Sequence, residues 1–470
     1  MRRTTPFFLF TIAVFAALLL PVLVQQGMFL DGVTYSAISH NLANGLGQNW
    51  NPHYTDTLYP EFHEHPALFF IIESGWFRIF GHSIWIERVF SLSMAVIHCW
   101  GIVLCWRLFM TDKRFRSYFF LPILLWIATP IVFWSFQNNM LENLLSCFTL
   151  FAVYFISRGL LSSKYIFSAL GSIFILFGVL TKGPVGLFPL ALPILFIVAF
   201  GQFKDKKLWL HAILFIAFTC ILFIAVFTLY PEVAQNIEAY LQQQLLPALS
   251  NKREVTTHNR WSILGQLLLE LTLPIVVCLV VIIFHRMRKT LALPLFRKEI
   301  LFFLLVGISA SLPLMVTLKQ RPFYLVPAIV YFSFVFALFL LPFLQEYVER
   351  IPLVAIKRWH NFSLVLLLAI VSFSAYNFGR YSRDREMLED IDIIRKSVPA
   401  NSVIGSSSSL WESWGLVAYL NRLGGYSLDQ STQPTYFLSE KNNPPDSNFL
   451  SIYRKLPIEM KGYVLWEKSL

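Results

Sequence analysis

The chain has 470 residues, of which 56% are hydrophobic and 14% charged, and its formal net charge is +11. Soluble domains carry about 25% charged residues, and one globular core cannot hide this much apolar surface, so the composition excludes a soluble enzyme and makes the bilayer the solvent. The positive charge does not imply nucleic acid, because the basic residues stand in short clusters between apolar runs and no basic–aromatic nucleic-acid module is present.

In chain order, the apolar runs predict about 11 transmembrane helices, at 7–24, 85–107, 118–135, 141–157, 165–181, 184–202, 208–229, 262–284, 299–317, 323–343 and 361–378. Arg2-Arg3 precedes the first run, which lacks a small-x-small cleavage site, so an uncleaved helix is expected. Asp31 follows it directly in Met28-Phe-Leu-Asp-Gly-Val-Thr-Tyr35. An acid at a membrane face suits a general base toward an incoming hydroxyl, or the N-cap of a helix over 33–44. Glu61-Phe-His-Glu-His-Pro66 gathers two histidines and two carboxylates. Such a group suits a metal, a phosphate or a sugar, or a polar helix start with Pro66 at its first position. The spacing matches no standard metal motif. Residues 66–80 are too short for a span, and Glu73, Trp76 and Arg78 predict a helix along the interface.

Glu142, in Asn138-Asn-Met-Leu-Glu142, opens the fourth span as a dipole partner or a pocket acid. Thr181-Lys-Gly-Pro184 joins the fifth and sixth spans so tightly that Lys182 is expected at the membrane surface. There it either snorkels or holds a lipid-linked phosphate as a point charge. His258-Asn-Arg-Trp261 precedes the eighth span, and Lys319-Gln-Arg-Pro-Phe-Tyr324 separates the ninth from the tenth. Arg260 and Arg321 suit bidentate phosphate clamps or interfacial anchors. The five cysteines lie inside apolar spans and read as small core residues. Residues 379–470 read as a soluble α/β domain, with strands at Ser402-Val-Ile-Gly and Gly462-Tyr-Val-Leu-Trp and a helix over 411–422.

With the N-terminus inside, the cytoplasmic connections hold 19 basic residues and the outer ones eight, which sets the orientation and places the tail outside. Ionisable groups then gather at the outer ends of spans whose interiors are nearly charge-free. A transport path would instead place charges near the midplane.

These ordered features resemble the multi-spanning glycosyltransferases of the GT-C type that use polyprenyl-phosphate sugars, above all the lipid A aminoarabinose transferases and the protein O-mannosyltransferases. The resemblance rests on Asp31-Gly-Val-Thr-Tyr, Glu64-His-Pro-Ala-Leu-Phe-Phe, Gly81-x-Ser-x-x-x-x-Arg88, Thr181-Lys-Gly-Pro and Arg321-Pro-Phe-Tyr-Leu-Val-Pro327. It implies an all-α polytopic membrane protein, 1–378, with outer loops 25–84 and 230–261 and a small periplasmic α/β domain, 379–470. It further implies an inverting transfer of a sugar from a polyprenyl-phosphate carrier to a lipid or protein acceptor, at the outer face of a cell's inner membrane. Asp31 matches the family's catalytic acid. Lys182, Arg260 and Arg321 would hold the donor phosphate, and Tyr35, His63, His65, Arg88, Glu142 and Tyr324 would line the substrate site. In the aminoarabinose branch a glutamate and a histidine hold a divalent ion, which Glu64 and His258 match. Three departures stand out: Gly32 where many relatives have a glutamate, Ala67 in place of a second proline, and His65 in place of a lysine. A histidine carries its full charge only below a pKa of about 6.5. The competing readings are a flippase or transporter of lipid-linked sugars and a non-catalytic membrane scaffold.

Overall fold

A computed structural model describes residues 3–250, 252, 255–288, 295–443 and 452–469; Arg2 lies outside them. The chain forms two compact units. One comprises Met1–Val22, Leu92–Gln137 and Leu141–Tyr376, and the other Leu23–Ser91, Asn138–Met140 and Asn377–Leu470.

The first unit is helical and carries most of the membrane-spanning length. Among the described residues eight helical stretches are long and apolar enough to cross a bilayer, and ten if each of two bent pairs counts as one span. The expected span at 118–135 is a bent pair, Lys113–Ile127 and Pro130–Gln137, turning by 79°. Proline lacks an N–H and clashes with the preceding turn, so Pro130 restarts the helix rather than continuing it. The Ile131 N–H, without a helical partner there, donates to Glu270 Oε2 at 2.8 Å. Glu270 closes Ser262–Glu270, the first arm of the second bent pair, which turns by 60° into Thr272–Met287. The expectation of nearly charge-free spans therefore has an exception in Glu270, which caps another helix.

The expected fifth and sixth spans fall within the stretch Tyr165–Phe200. This stretch reverses at Gly183, whose φ of +71° lies in the left-handed region that favours glycine. Beyond the reversal Gly186 packs on Gly178, and a Cβ on Gly186 would come within 2.5 Å of the Gly178 backbone. Only small residues let two backbones approach this closely. Buried polar groups pair across helices: His98 Nε2 meets Ser146 Oγ at 2.8 Å and Ser172 Oγ meets Thr219 Oγ1 at 2.7 Å. Trp126, stacked on His98 at 4.3 Å, anchors the interior. The helices Lys206–Leu229 and Leu353–Tyr376 expose apolar side chains along most of their length, as lipid-facing helices do.

The second unit combines the long first loop with the tail, so the tail expected as a domain of its own shares its unit with residues 23–91. The helix Leu30–Ala43 packs on Leu68–Phe80 and on Trp414–Gly424. The tail builds a five-stranded sheet in the order Ser427–Asp429, Val403–Ser406, Tyr436–Glu440, Tyr463–Lys468, Tyr453–Lys455. The first three strands run parallel and the other pairings are antiparallel. Ile404 stands between Leu428 and Tyr436, and Leu438 faces Leu465, so alternate side chains form the buried face. Asp390 is fully buried and accepts the N–H groups of Lys461, Gly462 and Tyr463 at 2.7, 2.8 and 3.2 Å, which fixes the turn into the strand Tyr463–Lys468. The short helix Leu68–Phe80 exposes Ile79 and Phe80 at one end, but Glu73 is fully buried rather than interfacial, and Arg78 donates to the Leu42 carbonyl at 2.9 Å.

Candidate functional site

The candidate residues divide between the units, and each group is built from its own elements. In the second unit the helix begins at Leu30, so Asp31 lies in its first turn and is not the expected N-cap. The N-cap is Phe29, whose N–H donates to Asn138 Oδ1 at 2.7 Å. An acid in a first turn favours the helix dipole without serving as its cap. Gly32 is required next to it: a Cβ there would overlap the Asn138 carbonyl oxygen. The departure from the family's Asp-Glu pair thus has a steric cause. Buried Arg88 donates to the carbonyl of Gly27, just ahead of this helix, and so supports the chain leading to Asp31.

One turn after Asp31, at the spacing that puts two side chains on one helix face, the Tyr35 hydroxyl meets His65 Nε2 at 3.0 Å. Phe69 and Phe70 pack against the Tyr35 ring. Pro66 does not open the next helix as expected; that helix starts at Leu68 with Ala67 as N-cap, leaving His65 in the approach. The Tyr59 hydroxyl donates to Glu64 Oε1 at 3.3 Å, and His63 Nε2 lies 3.8 Å from Glu61 Oε2. Buried His63 Nδ1 has no hydrogen-bond partner among the described residues. Asp31, Tyr35 and His65 therefore form one polar strip, with His63 and Glu64 on the same loop.

In the first unit Lys182 ends the helix Tyr165–Lys182, and its side chain is buried within the protein. Its ammonium is ion-paired with Glu142 Oε1, in the first turn of Leu141–Ser162. The ammonium also sits 4.6 Å from the Tyr324 ring centroid and 5.9 Å from that of Phe323. Glu142 thus stands in the first turn of its helix, as a dipole partner does, and also neutralises Lys182; its Oε2 has no partner among the described residues. Tyr240, which the sequence reading missed, donates to the Lys182 carbonyl at 3.5 Å, and its ring lies where a Cβ on Gly183 would stand.

The arginine loops meet through Gln320, also missed. Its Nε2 donates to the Arg260 carbonyl at 2.9 Å and its Oε1 accepts the Ile263 N–H at 2.9 Å. Thr256 Oγ1 accepts the Gln320 N–H at 2.7 Å. This staple joins the segment bearing His258 and Arg260 to the one bearing Arg321 and Tyr324, and exposed His258, Arg260 and Arg321 remain solvent-accessible. The signal for Gln320 was its place between two cations, which drew attention away from the amide. For a metal, Glu64 belongs to one unit and His258 to the other. Among the described residues no group of three or more His, Cys, Asp or Glu is arranged to hold an ion. The pair alone is not a ligand set, and no step below runs through a metal.

No family model and no curated protein sequence matches the chain. Its fold, however, has solved counterparts. The crystal structure of ArnT from Cupriavidus metallidurans bound to undecaprenyl phosphate aligns over 97% of both chains, with a TM-score of 0.66 at 12% identity. The apo form of that protein aligns over 97% of this chain and 95% of its own, with a TM-score of 0.62 at 14% identity. The archaeal oligosaccharyltransferase AglB from Archaeoglobus fulgidus, in complex with an inhibitory peptide and a dolichol-phosphate, aligns over 93% of this chain and 69% of its own, with a TM-score of 0.51 at 13% identity. The chain therefore has the fold of the multi-spanning, GT-C-type glycosyltransferases, the fold class that the order of its motifs implied.

Proposed function

We propose that this protein is an inverting glycosyltransferase of a cell's inner membrane. It moves a sugar from a polyprenyl-phosphate carrier to a lipid or protein acceptor at the outer face. The observation that carries the reading is the buried Lys182, aimed by Glu142 and covered by Tyr324, in a chain with the ArnT fold. Glu142 compensates the buried ammonium, and a lipid-linked phosphate at this helix end would share that same point charge.

The acceptor oxygen attacks the sugar C1, the bond from C1 to the phosphate oxygen breaks, and the polyprenyl phosphate leaves with the bonding electrons. The anomeric centre inverts. Phosphate is a good leaving group, so cations that stabilise its growing charge contribute more than a strong acid would. Lys182 supplies that charge in a dry setting, and Arg260 and Arg321 supply it from the loops that Gln320 joins. Asp31 takes the proton of a hydroxyl acceptor; toward an acceptor phosphate already ionised it orients the nucleophile instead. Tyr35, on the helix face of Asp31, and His65, which meets its hydroxyl, bind sugar or phosphate oxygens. Mass spectrometry of lipid A and glycoproteins from cells with and without the chain tests the reading, because a sugar mass missing from one class names both donor sugar and acceptor. Asp31→Asn is expected to abolish that product with membrane insertion unchanged, and an unaltered product rejects Asp31 as catalytic.

A further inference from the structure

Glu73 is fully buried in the middle of Leu68–Phe80, and the proposed chemistry gives it no task. Its Oε1 accepts from Asn139 Nδ2 at 2.6 Å, and the same amide nitrogen reaches Ser36 Oγ at 3.1 Å. Ser36 in turn donates to the Gly32 carbonyl at 2.9 Å. Asn139 has a φ of +50°, in the left-handed region that few non-glycine residues occupy. Its neighbour Asn138 receives the Phe29 N–H and lays its own carbonyl on Gly32. The Asn138–Asn139 corner thus touches the Asp31 helix at residues 29, 32 and 36, on both sides of the acid. Glu73 Oε2 is buried with no hydrogen-bond partner among the described residues, since the nearby Ser39 hydroxyl is committed to the Tyr35 carbonyl at 2.9 Å.

We infer that Glu73, as a neutral carboxylic acid, is a positioning residue that locks the Asn138–Asn139 corner against the turn carrying Asp31. The inference rests on the reading of Asp31 as the acceptor-side acid. A carboxylate in this place would hold a full charge on one amide bond, which a dry interior does not support. Burial first, opposed by Ser39, then the charge of Glu87 pushes the Glu73 pKa up to about 8, with Asn139 and Arg422 working weakly the other way. The elements around it are accounted for. The Asp31 helix also bears His40, whose pKa burial, Arg422 and His82 drive down to about 3, so it stays neutral. Glu73's own helix bears Arg78, bonded to the Leu42 carbonyl. Arg88 supports Gly27, and Glu87 is locked to Arg422.

The test is hydrogen exchange of the full chain in nanodiscs from pH 6 to 9.5, corrected for intrinsic rates, alongside the glycan product in cells. In the native protein, protection of residues 29–36 is expected to fall by up to about tenfold per unit between pH 6 and 8 and to level off above that. Glu73→Gln keeps the shape and the acceptor for Asn139 without a titrating proton, so its protection stays level to pH 9.5 and its product is retained. Glu73→Ala loses protection there at every pH and loses product, while strand Tyr463–Lys468 is unchanged in all three. Native protection that is level from pH 6 to 8, or Glu73→Gln as unprotected as Glu73→Ala, overturns the inference. If Asp31→Asn leaves the product intact, the enzymatic reading fails by itself, and the exchange data still judge the role of Glu73.

Discussion

The Lys182–Glu142 pair carries two roles, structural and chemical, and replacing its members one at a time separates them. Glu142 is fully buried and the Lys182 side chain is 10% exposed. Two unit charges about 4 Å apart attract by about 4 kcal/mol at an effective dielectric constant of about 20. Removing one member of such a pair leaves an uncompensated charge and costs about 3–5 kcal/mol. For Glu142→Leu the Tyr324 and Phe323 faces return about 1–2 kcal/mol to the stranded ammonium, so a net loss of about 1–4 kcal/mol is expected. Lys182→Met strands a carboxylate that has no other donor, and the full 3–5 kcal/mol is expected. The double variant strands nothing and should lie within about 1 kcal/mol of the native chain, because apolar replacement of a whole buried pair is close to neutral. Unfolding in mixed micelles, read as a double-mutant cycle, measures the coupling. A double variant that loses the sum of the two single losses refutes the argument. Binding tests the chemical role. Glu142→Gln removes the carboxylate that competes with a lipid phosphate for the ammonium, so undecaprenyl phosphate should bind about tenfold tighter, near 1.4 kcal/mol. Lys182→Ala should weaken it by a similar factor. Weaker binding to Glu142→Gln would show that the phosphate does not use this lysine.

Gly32→Ala is expected to destabilise the second unit by about 1–3 kcal/mol, since the added methyl overlaps the Asn138 carbonyl; a melting temperature equal to the native one would contradict this. Arg422 bonds Glu87 through two nitrogens, at 3.2 and 2.9 Å, with both side chains only 4% exposed. Arg422→Ala should therefore cost about 3–5 kcal/mol, and Arg422→Lys should recover only part of it, because a lysine cannot make both bonds. The raised pKa of Glu73 sets a pH dependence of stability. Between its ordinary value of 4.5 and about 8 the folded chain holds a proton that the unfolded chain releases. Stability thus falls as pH rises through this window, by up to about 1.4 kcal/mol per unit, and the slope from this group vanishes above it. Denaturation of the native chain and of Glu73→Gln at pH 5, 6, 7 and 8 should diverge steadily; parallel curves would reject the shift.

What the sequence made legible follows from the kind of signal each feature leaves. Apolar length and loop charge are summed over many residues, so the expected spans 141–157 and 208–229 fall within Leu141–Ser162 and Lys206–Leu229, and 323–343 and 361–378 overlap Val326–Arg350 and Leu353–Tyr376. Gly183-Pro184 marked the reversal between the fifth and sixth spans because a positive φ and a missing N–H are properties of single residues. Glu142 and Lys182 stand forty residues apart, and nothing local joins them, so their pairing was not visible even though each was singled out. Gln320, Asn139 and Tyr240 escaped notice because each acts through hydrogen bonds to partners far along the chain, and composition carries no trace of such bonds. Of the two readings open for Asp31, the N-cap one rested on the preference of Asp for that position; the cap is Phe29, whose N–H Asn138 reaches from far along the chain.

The placement of charge also bears on how a lysine can serve a lipid phosphate at all. Left alone in a dry site, its ammonium would be an uncompensated charge. Paired with Glu142 it is neutral overall, and the aromatic faces of Tyr324 and Phe323 support it from the side. Under the proposed reaction, an arriving phosphate would share the ammonium with Glu142 rather than hold it alone. Arg260 and Arg321, exposed on loops tied by Gln320, supply charge that is screened in the resting state and unscreened only when a lipid head excludes water. On this view the buried pair sets the position of the phosphate and the exposed pair sets its affinity. Raising the salt concentration from about 0.05 to 0.5 M, which shortens the screening length severalfold, should then weaken undecaprenyl phosphate binding to the native chain far more than binding to a chain with both arginines replaced by glutamine. Equal salt dependence in the two chains would mean that the arginines only anchor the loops.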